Sequence, residues 1–139
     1  MRSITIIEIE YIAHNLAQET MNWDEPIPDF SSRFQNILES CLATPFQSFG
    51  GKKLYKGILE KAAVLFYLMI KNHPFQNGNK RIAITTLFYF LYKNKKWLRV
   101  DNQELYNFAK WVAESNPKIK NEAVAAIQKF LRLYLVELK

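Results

Sequence analysis

A single cysteine, Cys41, among 139 residues excludes an internal disulfide and a cysteine-based zinc site. Two histidines, His14 and His73, are too few to complete a transition-metal cage with it. Four glycines and five prolines leave no flexible linker, repeat or low-complexity segment. Long apolar runs are missing as well, since Ala62 to Ile70 and Leu87 to Tyr92 are too short to span a bilayer. The N-terminus lacks the basic region and apolar stretch of a signal peptide, so a cytoplasmic protein is expected. Positive charge exceeds negative by 19 to 13, giving +6. That balance favours an acidic partner or a phosphate ligand. The basic residues are nevertheless dispersed, with no alternation of aromatic and basic side chains, so direct nucleic-acid binding is not expected.

What is present is a helix-forming pattern around one apolar centre. With 49% apolar residues, a chain of this length makes one domain, residues 1–139, and buries about two thirds of its unfolded surface. The expected fold is all-α and compact, with about six helices around a central apolar hairpin. Thr5 and Glu8 form a capping box before a helix to about Gln18, with Ile9, Ile12 and Leu16 on one face. Ile4, Ile6 and Ile7 could instead begin as a short strand. Residues 20–30, with Trp23, Pro26 and Pro28, read as a loop, and a second helix runs from about Ser32 to Leu42. Two helices, about Tyr55 to Asn72 and Ile82 to Tyr92, are apolar nearly all round and form the hairpin. Phe88, Tyr89, Phe90 and Tyr92 are expected in the core. Lys93, Lys95 and Lys96 suit the C-terminal end of the second hairpin helix. Leu98 to Val100 suits a short extended piece. Asp101 and Glu104 cap a helix to about Ser115. Pro117 opens the last helix, whose apolar stripe reaches Leu138.

Between the hairpin helices lies His73-Pro74-Phe75-Gln76-Asn77-Gly78-Asn79-Lys80-Arg81, polar and basic where its flanks are apolar. Pro74 ends the first helix and leaves the imidazole of His73 at its mouth. Asn77 suits a helix N-cap and Gly78 permits close backbone approach. The amides of Gly78, Asn79 and Lys80 then point outward at the positive end of a helix dipole, where phosphate binds. Each residue taken singly also fits an ordinary helix hairpin; the chemical reading rests on the set.

The set His-x-Phe-x-x-Gly-Asn-Lys-Arg resembles the signature of the Fic/Doc superfamily, and Lys80 in place of glycine resembles its Doc, or death-on-curing, branch. The likeness continues through Leu38-Glu39-Ser40, Phe49-Gly50-Gly51, Leu54-Tyr55 and Glu60-Lys61-Ala62-Ala63, and covers most of residues 4–135. It implies that His73 takes a proton from a Ser or Thr hydroxyl of a target protein, while ATP or another nucleoside triphosphate lies on the helix N-terminus. Phe75 anchors the loop, and Gly78, Asn79, Lys80 and Arg81 hold phosphate, Arg81 also meeting the charge that develops in transfer. The loop Thr44 to Lys53 reads by itself as a connector. By resemblance, Ser48, Phe49, Gly50 and Gly51 form the flap that positions the target segment.

Lys80 and Ile84, which stands where the Fic motif has a second arginine, imply γ-phosphate transfer rather than AMPylation by a Fic-like adenylyltransferase. The usual acidic ligand for magnesium is replaced by Asn77, a neutral and weaker ligand. A weakened Fic/Doc-fold binding module is therefore the other alternative. The Doc branch implies a toxin of a bacterial toxin–antitoxin system that acts on translation elongation factor Tu. It also implies an antitoxin bound in trans, because the chain lacks the inhibitory Ser/Thr-x-x-x-Glu-Gly/Asn helix.

Overall fold

Ten consecutive residues of one helix, Lys61 through Ile70, are buried, so that helix must be enclosed on every side. The computed structural model, which describes residues 1–138, is organised to do so. The enclosed helix is α3, Ile58–Lys71, and its hairpin partner is α4, Asn79–Lys93. Helix α6, Lys120–Tyr134, packs on α3; α5, Asn102–Glu114, contacts both hairpin helices; and α2, Gln35–Ala43, lies against α3. Among the described residues the fold is all-α, with six α-helices and two small strand pairs.

The first helix, α1, covers Ile6–Tyr11 and is capped as its sequence predicts. Thr5 Oγ1 accepts from Glu8 N, and Glu8 Oε1 accepts from Thr5 N at 2.9 Å. Beyond Tyr11 the helix widens into a π turn over Ile12–Leu16 and then tightens over Ala17–Glu19. Ile9 and Ile12 are buried, and Leu16 is half-buried at the same surface. Residues after Thr20 form the expected loop, with a single 3-10 turn at Phe30–Ser32. Cys41 packs inside α2's contact with α3, where burial raises its thiol to about 11. His14 meets the edge of Phe30 at 5.8 Å, a packing role.

Several expectations need correction. Asn77 is not the N-cap of α4: Gly78 is, because residue 78 adopts φ +70° and turns the chain into the helix one position later. Helix α3 begins at Ile58 rather than Tyr55, after a turn at Tyr55 to Gly57. Tyr92 is 61% exposed while Phe90 is fully buried, since only the latter faces α3's side of the hairpin. The last helix stops at Tyr134 instead of carrying its stripe to Leu138. Residues Leu135–Glu137 form β4, antiparallel to β3, Lys96–Leu98. Trp97 pairs with Val136 there, so the last apolar residues satisfy their backbone in a ladder that joins sequence-distant segments. The loop Thr44 to Lys53 is also more ordered than a connector. After a 3-10 turn, Ser48–Phe49 (β1) and Lys52–Lys53 (β2) make a hairpin around Gly50 and Gly51. Their φ values of +59° and +79° are those of a two-residue primed turn, which suits the strand twist.

Candidate functional site

The loop from His73 to Gly78 is held by its own side chains. Phe75 is 1% exposed and sits against Phe30, ring centroids 6.1 Å apart. Pro74 is buried as well, and its carbonyl accepts from Phe34 N at 2.9 Å. Asn79, in the first turn of α4, is buried and reaches back across the loop. Its Oδ1 accepts from Phe75 N at 3.1 Å, and its Nδ2 donates to Phe75 O at 2.9 Å. These two bonds fix which end of the amide is nitrogen.

That orientation determines what His73 meets. Asn79 Nδ2 also lies 3.3 Å from His73 Nδ1, so the ring nitrogen facing it acts as the acceptor. In the neutral imidazole the proton then sits on Nε2, on the other side of the ring. His73 is exposed and has φ +50°, a left-handed conformation that costs a side-chain-bearing residue about 1 kcal/mol or more. The backbone strain and the polar exposed ring lie at one residue, immediately after α3.

Facing it is the start of α4, whose N-cap Gly78 has no side chain to satisfy the first amides. Gly78 is needed there on two counts. Its φ is left-handed, and a Cβ would stand 2.9 Å from Ile27 Cδ1 and 3.0 Å from Pro26 O. The loop 20–28 thus presses on the beginning of α4. Lys80 is half-buried, and Asn77 is exposed.

Arg81 has a different occupation from the one its position in the motif suggests. It is 4% exposed, and its guanidinium donates to Thr20 O, Glu25 O and Ala17 O at 2.9, 2.9 and 2.8 Å, and to Asn22 Oδ1 at 3.1 Å. Burial lowers its pKa from the ordinary value, while the charge of Asp24 pushes it back up. Four acceptors in residues 17–25 therefore take its fork, which clamps that loop over α4. The acceptors Ala17, Thr20, Asn22 and Glu25 were not foreseen from sequence. Main-chain carbonyls carry no residue signature; only Pro26 and Pro28 hinted at a loop rigid enough to be gripped.

The structure brings together His73, Phe75, Asn77, Gly78, Asn79, Lys80 and Arg81 in one loop and helix start. The hairpin carrying Ser48, Phe49, Gly50 and Gly51 precedes the other end of α3, whose 14 residues rise about 21 Å. Phe49 is 81% exposed, and among the described residues no hydrogen bond joins the hairpin to the motif loop. As a magnesium site the loop offers only neutral amide oxygens, those of Gln76 and Asn77, and no carboxylate. Among the described residues, no cluster of three or more His, Cys, Asp or Glu could hold a metal ion. The residues here do not make a protein-built cation cage.

Residues 3–91, more than half of the chain, match the Fic/DOC family. The chain belongs to the Fic/DOC family. No curated protein and no solved structure matches it. The Fic/DOC match ends within α4, so it takes in α1, both hairpin helices and the motif loop, while α5, α6 and the β3–β4 pair lie beyond it. Among the described residues, no helix is long and apolar enough to cross a membrane.

Proposed function

We propose that this Fic/DOC protein is a Doc-type phosphotransferase, moving the γ-phosphate of ATP to a Ser or Thr hydroxyl of a protein target. The observation that carries the reading is the pairing of an exposed, strained His73 with the side-chain-free N-terminus of α4. The hydroxyl oxygen forms a bond to the γ-phosphorus, the bond to the β-phosphate oxygen breaks, and ADP leaves. The hydroxyl proton passes to His73. Because Nδ1 carries the free electron pair and faces Asn79, the ring turns over about Cβ–Cγ to present it to the hydroxyl. A single 3.3 Å contact and an exposed ring make that turn inexpensive.

The amides of Asn79 and Lys80, with the Lys80 charge, hold the phosphates at the positive end of the helix. Arg81 acts as a positioning residue in this scheme, fixing the loop over α4 rather than offering its fork to phosphate. Lys80 fills the place of the Fic glycine, and Ile84 is buried and apolar where a second arginine would be needed; both favour γ-phosphate transfer over AMPylation. Magnesium is assigned to the nucleotide phosphates, with Asn77 as its one weak protein ligand. The toxin role, elongation factor Tu as target and an antitoxin in trans rest on the resemblance to the Doc branch. Function in the cytoplasm is part of the same proposal.

Asn77 supports a second reading, a binding module that keeps the fold and has lost transfer. The test compares γ- and α-labelled ATP with magnesium and purified elongation factor Tu, using the native chain, Asn77→Asp and His73→Ala. Label from the γ position that His73→Ala abolishes supports phosphotransfer, whereas label from the α position supports AMPylation instead. Transfer by Asn77→Asp alone supports the binding module.

A further inference from the structure

One sizeable cavity among the described residues lies away from the motif. It is a groove of about 770 Å³ between the end of α1, the middle of α4, β3 and the start of α5. Five aromatic residues line it, Tyr11, Phe88, Tyr89, Tyr92 and Trp97, together with the acidic residue Glu19. Phe88 and Trp97 have centroids 4.7 Å apart at a 40° tilt, and Tyr92 meets Trp97 edge-on at 6.4 Å. Tyr11, Tyr92 and Trp97 remain 50, 61 and 39% exposed, so these rings are open to a guest instead of closed into the core.

The charges around the groove are as selective as its rings. The chain has 19 Lys and Arg, yet none lines this cavity, and neither does a histidine. Of the basic residues nearest in sequence to its lining, Lys93 pairs with Glu8 and Lys96 with Glu137, while Lys95 and Arg99 line no part of the cavity. Aromatic faces are negative, and Glu19 adds a full negative charge at the rim, so an anion is disfavoured and a cation attracted. The volume is that of a small-molecule site.

We infer that this groove binds a small organic cation, an ammonium with an apolar body. The site is independent of the phosphotransfer reading, because the surface that attracts a cation repels a nucleotide. It shares a wall with the motif clamp all the same. Thr20, which lines the groove, accepts from Arg81 Nε through its carbonyl, and Thr85, also in the wall, donates to Arg81 O at 2.9 Å.

Choline and its uncharged isostere 3,3-dimethylbutan-1-ol separate charge recognition from simple apolar filling. Titrations of the full chain at constant ionic strength, followed by the indole N–H resonance of Trp97, are expected to show choline binding about tenfold more tightly than the alcohol. Glu19→Gln, an exposed substitution, and Trp97→Leu are each expected to weaken choline severalfold. The Gln variant should do so without shifting the unfolding midpoint. Equal affinities for the two probes, no movement of the Trp97 resonance, or choline binding untouched by Glu19→Gln would each overturn the inference.

Discussion

Asn79 holds the main chain of Phe75 from both sides, accepting its N–H at 3.1 Å and donating to its carbonyl at 2.9 Å. A side-chain amide thereby supplies what a strand neighbour supplies elsewhere, and it does so at the buried centre of a loop that has no regular structure of its own. Removing it leaves two buried backbone groups without partners. Asn79→Ala is expected to lower stability by about 2–3 kcal/mol, read as a lower denaturant midpoint with an unchanged slope. Asn79→Asp keeps the acceptor and loses the donor, and should fall between the two.

Gly78 is constrained by backbone conformation and by its neighbour at once. Gly78→Ala adds a left-handed penalty of about 1–2 kcal/mol to a contact of 3.0 Å with Pro26 O. Trimming the flexible neighbour by Ile27→Ala relieves only the Cδ1 contact. The double variant is therefore expected to remain less stable than Ile27→Ala alone; full recovery in thermal unfolding would show that the carbonyl and the φ value do not matter.

Arg81 tests whether the clamp on residues 17–25 needs a planar fork. Lysine retains the charge but offers its donors from one atom, and cannot reach four oxygens spread over Ala17, Thr20, Asn22 and Glu25. Arg81→Lys is expected to cost about 2 kcal/mol, because the buried Ala17 carbonyl and the partly buried carbonyls of Thr20 and Glu25 lose their donors. Faster amide exchange should follow in residues 17–25 while α6 remains protected. Loss of phosphate affinity with an unaltered loop would instead assign Arg81 to the ligand.

The central hairpin was legible in sequence because α3 and α4 are apolar nearly all round and are separated by Pro74 and Gly78. The capping box at Thr5 and the Asp101 cap of α5, which accepts from Glu104 N, were equally local and equally readable. What escaped was set by distant partners. The pairing of Trp97 with Val136 depends on segments brought together only by the fold, and nothing in Leu135 to Glu137 by itself stops the α6 pattern. The motif residues were found by type and spacing, but the four oxygens that occupy Arg81 were not, since three are main-chain carbonyls. The aromatic groove was missed for a related reason: Tyr92 was assigned to a core that its side of α4 does not face.

The Glu8–Lys93 pair ties α1 to the end of α4 at 2.8 Å, and both side chains are about four-fifths buried. Burial alone would raise the Glu8 carboxyl, but the hydrogen bonds from Lys93, Thr5 N and Tyr89 outweigh it and hold it below its ordinary 4.5. A carboxyl depressed in the folded state contributes stability that is fully present above the ordinary value and lost as pH falls through the folded one. Glu8→Gln keeps the capping box and removes only the charge. The stability gap between the native chain and this variant should be widest near neutrality and close progressively below pH 4.5. A gap independent of pH would mean that the ion pair contributes nothing.

His73 joins strain to chemistry, and the two can be separated by choosing what replaces it. At φ +50°, alanine bears the full left-handed penalty, whereas glycine bears none and loses only through the freer unfolded chain. His73→Gly is expected to be about 1 kcal/mol more stable than His73→Ala, with thermal or denaturant unfolding as the measurement. Neither variant retains a side chain able to accept the hydroxyl proton, so both should lose label transfer. The glycine variant is therefore the stronger control, because its inactivity is not attributable to a weakened fold. If the two variants are equally stable, the backbone at residue 73 relaxes when the imidazole is removed, and the strain belongs to the contact with Asn79 rather than to the turn itself.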